Sequence, residues 1–118
     1  MARKLVIRVG GADDDGAAFV RAWHAAERGE DVADFSLTFE SMAGFTSMLT
    51  ARRWELLEAL RQLGPSSVYA LAKHLDRNYK NVHGDVKALE EVGLISRTIA
   101  DYVEVTWDEI EAHLSWAA

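Results

Sequence analysis

Between Arg52 and Val105 the apolar residues recur first at helical and then at strand spacing. Trp54, Leu56, Leu57, Leu60 and Leu63 form one stripe every three or four positions, which predicts a helix. Thr50 can cap it by accepting from a first-turn amide. Gly64 suits the left-handed stop, and Pro65 forbids continuation. Ser66 is the expected cap of a short second helix with core face Val68, Leu71, Ala72 and Leu75. A tight turn at Asp76 and Arg77 leads to Asn78, the expected cap of a third helix running to about Glu91. Gly93 then supplies the positive φ that ends it. Two β-rich runs follow, Leu94–Thr98 and Val103–Val105, with a turn from Ile99 to Tyr102. The order is helix, helix-turn-helix, hairpin, which suits the holding of one helix in a DNA major groove.

The third helix carries the functional expectation. Val82, Val86, Leu89 and Val92 fall on one face and must pack on the first two helices. At 100° per residue the opposite face holds Lys80, His83, Gly84, Lys87 and Glu91, flanked by Tyr79 and Asn81. The donors lie in the N-terminal turns, where DNA-reading helices typically contact bases; Glu90 and Glu91 come last. Taken alone, the same face is better read as an ordinary solvated one. The preceding helix, the tight turn and the hairpin favour the DNA reading.

Outside this stretch the pattern alternates between strand and helix. KLVIRV, Lys4 to Val9, is a β-branched run broken by Gly10 and Gly11. Asp13, Asp14 and Asp15 open an alanine-rich helix that stops at Gly29. In DFSLTFE, Asp34 to Glu40, Phe35, Leu37 and Phe39 alternate with polar neighbours, as in a half-buried strand. Ser41 caps a short helix through Leu49. Thr106 and Glu109 have capping-box spacing, which predicts a final helix with Trp107, Ile110, Leu114 and Trp116. Trp23 and Trp54 read as core residues, and the two C-terminal tryptophans as core or dimer packing. A two-stranded sheet cannot hide its apolar face unaided. Its cover is either the stretch from residue 50 to 106 or a second copy of the chain, and the second copy, giving a homodimer, is the favoured expectation.

Charge changes the picture only when divided along the chain. The net charge is −6 over 118 residues. Residues 1–50 hold 5 basic and 8 acidic side chains, residues 51–99 hold 8 and 6, and residues 100–118 hold none and 5. The only positive segment is therefore the one with the helix-turn-helix pattern. A local patch can bind phosphate within an acidic chain, although long-range repulsion weakens non-specific binding. There is no Cys, hence no disulfide or thiolate metal site. The apolar run after Met1 is too short for a secretory signal or a membrane span. A cytoplasmic protein with no membrane association is expected.

Enzyme chemistry finds little support. His24, His74, His83 and His113 include no pair at metal-ligand spacing with a third ligand. ADDDG lacks the alternate acidic spacing and the distant Glu of a calcium loop. There is no G-x-S-x-G and no phosphate loop with its lysine. Asp85, beside the core face of the third helix, is better read as the partner of a basic group on a neighbouring helix than as a catalytic acid. No catalytic residue, metal or cofactor is expected.

The run R-x-x-L-L-x-x-L-x-x-x-G-P-x-S-V-x-x-L-A-x-x-L from Arg53 to Leu75 continues as N-x-x-x-V-x-x-D-V-K-x-L-E-E-x-G-L-I from Asn78 to Ile95. It resembles the winged helix-turn-helix proteins related to the MarR group, and more narrowly small bacterial and archaeal transcriptional regulators carrying Y-K-N-V-H-x-D-V-K-A-L-E. The resemblance implies sequence-specific binding of double-stranded DNA as a dimer, with the reading helix at Asn78–Glu91 and the wing at Leu94–Val105. The chain departs from the pattern at Gly84, where relatives often carry a larger polar residue. The expected fold class is α+β: a winged helix-turn-helix at 50–106, an N-terminal strand-helix-strand-helix extension at 1–49, and a C-terminal helix at 107–118. The candidate DNA-binding residues are Ser66, Asn78, Tyr79, Lys80, Asn81, His83, Lys87 and Arg97. The expected function is a transcriptional repressor or autoregulator. The alternative is an antitoxin-like partner of a small toxin, with DNA binding secondary.

Overall fold

The computed structural model describes residues 2–10, 35–114 and 116. The helix expected after Asp13, with Trp23 and His24, lies outside the described residues. The chain forms two compact α+β units. One combines residues 1–46 with 107–118, and the other is the intervening stretch 47–106.

The first unit is built on a parallel sheet. Strand β1 (Lys4–Val9) lies between β2 (Phe35–Phe39) and a C-terminal strand, Glu109–Leu114. The C-terminal helix expected from Trp107, Ile110 and Leu114 is thus corrected to a strand, β5 once the remaining strands are counted. The segment Glu109-Ile-Glu-Ala-His-Leu114 also alternates polar and apolar, so two periods compete in it. Register decides between them. Leu5, Ile7 and Val9 pair with Phe35, Leu37 and Phe39 on one side and with Ile110, Ala112 and Leu114 on the other. Paired residues share a face, so three apolar rows cross the sheet. Leu5, Ile7 and Val9 are buried, as the central strand requires.

The expected capping box at Thr106 is replaced by a strand entrance. The Arg3 amide donates to Asp108 Oδ2 (2.8 Å), and the Asp108 amide donates to the Arg3 carbonyl (2.9 Å). The Arg3 guanidinium lies over the buried Trp107 ring at 4.4 Å, and Phe35 meets that ring edge-on at 5.5 Å. Lys4 pairs with Glu111 across the sheet and holds its carboxyl below the usual carboxylate range. Trp116, expected to pack, is fully exposed, and Leu114 is largely so. Helix α1 (Met42–Met48) follows β2, and Phe45 on it meets Phe39 at 5.5 Å between ring centroids.

The second unit consists of α2 (Ala51–Leu63), α3 (Val68–Leu75), α4 (Tyr79–Glu91) and a short hairpin of β3 (Ser96–Arg97) and β4 (Val103–Glu104). Thr50 caps α2 by accepting from the Arg53 amide (3.2 Å), and Gly64 leaves it at φ 79°. Leu56, Leu57 and Leu60 of α2, Leu71 of α3, and Val82, Val86 and Leu89 of α4 close one core. Leu94, Ile95 and Val103 complete it from the hairpin side. Trp54 is not a core residue: it is 39% exposed, because the buried face of α2 is set by Leu56, Leu57 and Leu60.

The cap of α3 is also corrected. Ser67, not Ser66, accepts from the Ala70 amide (3.0 Å). The Ser66 backbone instead exchanges both hydrogen bonds with Val103 (3.0 and 2.8 Å), and its hydroxyl donates to the Gly64 carbonyl (2.9 Å). Two adjacent serines cannot be told apart by pattern; the one three residues before the N3 amide takes the cap. The turn between α3 and α4 follows the expected positions, with Asp76 in the left-handed region at φ 53°.

Candidate nucleic-acid interface

Helix α4 is anchored at its start by Asn78. The Asn78 Oδ1 accepts from the amides of Lys80 (2.8 Å) and Asn81 (3.3 Å). That oxygen is engaged by the backbone, so Asn78 positions the helix. Asn78→Ala is expected to lower stability by about 1 kcal/mol, read from the urea midpoint. An unchanged midpoint would remove the cap from this account.

With Val82, Val86 and Leu89 buried, helical geometry turns Tyr79, Lys80, Asn81, His83, Gly84 and Lys87 to solvent. The Tyr79 and His83 rings lie 5.8 Å apart, one turn along the same face. Among the described residues, neither Lys80 nor Lys87 pairs with a carboxylate. Five of the sequence-predicted residues therefore share one exposed helix face: Tyr79, Lys80, Asn81, His83 and Lys87.

The other three do not join them. Ser66 is tied to β4, and Asn78 is the cap. Arg97 is engaged within the chain. Its Nε and Nη2 donate to the two oxygens of Glu90, both at 3.0 Å, and Nη1 meets Asp101 at 3.3 Å. Hydrogen bonding to Glu90 raises the guanidinium above its ordinary pKa. Arg97 thus ties the hairpin to the last turn of α4, in the two-pronged geometry that a carboxylate offers.

Asp85 has the role the sequence indicated. Its Oδ1 accepts from Arg53 Nε of α2 (3.0 Å), and its Oδ2 accepts from Arg77 Nη2 in the turn before α4 (2.8 Å). Arg53 also donates from Nη1 to the Met48 carbonyl (2.8 Å). All three side chains are largely buried. The cluster locks the start of α2 to the middle of α4.

The three residues of this lock line an open groove of about 820 Å³ together with Arg52, Lys80, Asn81 and Gly84. Sequence reasoning missed Arg52, Arg53 and Arg77 as contributors. A signal was present: two arginines occupy the first turn of α2, which has no acidic residue, although cations are disfavoured at a helix N-terminus. Among the described residues, no group of His, Cys, Asp or Glu is arranged to hold a metal ion.

The model of one protein family, HVO_A0114, matches residues 48–112, which is more than half of the chain. The chain belongs to the HVO_A0114 family. The HVO_A0114 match runs through α2, α3, α4 and the hairpin and into β5. No curated protein and no solved structure matches the chain. No helix among the described residues is long and apolar enough to cross a membrane.

Proposed function

We propose that residues 47–106 form a winged helix-turn-helix that binds double-stranded DNA, with α4 in the major groove and the β3–β4 hairpin as a short wing. The chain then acts as a sequence-specific transcriptional regulator, a repressor or autoregulator. One observation carries this reading. The exposed face of α4 bears Lys80 and Lys87, which have no carboxylate partner among the described residues, together with Asn81, His83 and Tyr79. Such a face offers lysines to phosphates or guanine and a side-chain amide to adenine. The acidic Glu90 lies at the far end of the helix and is neutralised by Arg97.

Selection of bound duplexes from random sequence tests the reading. A defined preferred site is expected, with log affinity falling against log salt at about −0.9 per neutralised phosphate over roughly four to eight contacts per dimer. No sequence preference after selection at low salt would sink the proposal.

The reading includes a two-fold dimer. Phe35, on an edge strand, remains 58% exposed, and a second copy would cover it. Light scattering should give twice the 13.1 kDa of one chain. The preferred site should then be a near-palindrome, its half-sites about 34–36 Å apart. A monomeric mass with an asymmetric site would refute the dimer.

One feature favours a second reading, docking of a small protein partner in the manner of an antitoxin. The hairpin turn carries a fully exposed Ile99 and a half-exposed Tyr102 beside Asp101, a surface ill suited to phosphate. Ile99→Ser should lower affinity for a protein partner under the second reading, and a partner bound as tightly by the variant would refute it.

A further inference from the structure

Two locally unfavourable residues meet in the groove between α2 and α4. The first is Gly84, in the middle of α4. Glycine inside a helix is disfavoured against alanine, and the chain itself gives no reason for it here. Gly84 is not in the positive-φ region, and an added Cβ would meet no atom within 4 Å. The second is Arg52, in the first turn of α2, where the helix dipole opposes a cation. It is exposed and has no ion pair among the described residues. Both line the same groove, as does Lys80. Two further lining residues, Arg53 and Arg77, share the single carboxylate of Asp85. Among the described residues the groove thus gathers four cations against one acid, in a chain whose net charge is −6.

Local rules broken together in one place mark a site that binds something. The missing Cβ at Gly84 leaves space, and the charges choose an anion to occupy it. We propose that this groove seats a backbone phosphate of the bound duplex, with Arg52 and Lys80 pairing with it and Gly84 allowing the sugar–phosphate to approach the α4 backbone. This rests on the DNA-binding reading and adds to it a contact from α2, outside the helix-turn-helix and the hairpin. It also gives Gly84 a purpose: a larger side chain would fill the space that the strand enters.

The test uses the full chain, a 30-base-pair duplex of mixed sequence and three variants. Gly84→Ala should raise the thermal midpoint by about 3–6 °C, because alanine is the better helix former. The same variant should bind the duplex about tenfold more weakly. A residue with only a structural role would not move stability and affinity in opposite directions. Arg52→Ala should lower affinity and reduce the salt slope by about 0.9, the loss of one phosphate contact. Lys73→Ala, which removes an exposed cation outside the groove, should leave the slope within half that change. A Gly84→Ala protein with wild-type affinity, or an Arg52→Ala protein with the wild-type slope, overturns the inference while DNA binding stands. Inorganic phosphate at constant ionic strength should leave the thermal midpoint of the DNA-free protein unchanged. A rise that Arg52→Ala removes would give the seat to a free anion and overturn its assignment to the DNA backbone. Wild-type protein that binds no duplex at all sinks this inference together with the reading on which it rests.

Discussion

Replacing Lys80 and Lys87 together by Glu is expected to abolish duplex binding and leave the chain folded. Both side chains are on the exposed face of α4, away from Val82, Val86 and Leu89. Neither takes part in an ion pair among the described residues, so no internal partner is lost. Exposed substitutions of this kind change stability by about 0.5 kcal/mol or less. Lys80→Glu even places acid near the α4 N-terminus, where the helix dipole favours it. At the proposed DNA interface the change is severe. Two contacts vanish and two like charges face phosphate, each juxtaposition being worth several kcal/mol, so affinity should fall by about 100-fold or more. Circular dichroism and light scattering should match wild type, and gel shift or fluorescence anisotropy should report the loss. Unaltered binding by the double variant would move the reading helix elsewhere.

Asp85→Ala is expected to give the largest loss of stability outside the apolar core. Asp85 accepts from Arg53 and Arg77, and its side chain is 18% exposed, with the two arginines at 22% and 17%. Removing the carboxylate leaves two guanidiniums close together and poorly solvated. Truncating one partner of a fully buried ion pair costs about 3–5 kcal/mol. Residual exposure places this case lower, at about 2–4 kcal/mol, since screening by water weakens partly exposed pairs. Arg97→Ala breaks a pair more open to solvent, with Glu90 and Asp101. It should cost at most about 1 kcal/mol. Urea unfolding of the two variants gives the comparison. Equal losses would mean that the Asp85 cluster is no better shielded than the surface pair.

Much of the second unit was legible in the chain. The stripe from Leu56 to Leu60, the stop at Gly64, the cap at Asn78 and the apolar positions of α4 all act within one or two helical turns. Residues so close in sequence impose their geometry locally, so periodicity and cap chemistry locate them. The exposed face of α4 was legible for the same reason: it is the complement of the buried one. Asp85 was readable as a buried-pair acid because its helical position lies beside Val82 and Val86.

The remaining features depended on contacts distant in sequence. Glu109–Leu114 fits both a helical and an alternating pattern, and pairing with β1, more than a hundred residues earlier, decides for the strand. Ser66 and Ser67 offer the same hydroxyl, and the bridge from Ser66 to Val103 determines which one caps α3. Arg97 looked available until Glu90 and Asp101 took it. The basic groove is the same kind of case, since Arg52, Arg77, Lys80 and Gly84 belong to three segments that only packing brings together. The sequence by itself determined the three helices of the second unit and the buried face of α4, because those follow from short-range periodicity and capping. Tertiary structure alone decided strand partners, ion-pair partners and the groove, because each depends on energies between groups that the chain's order does not make neighbours.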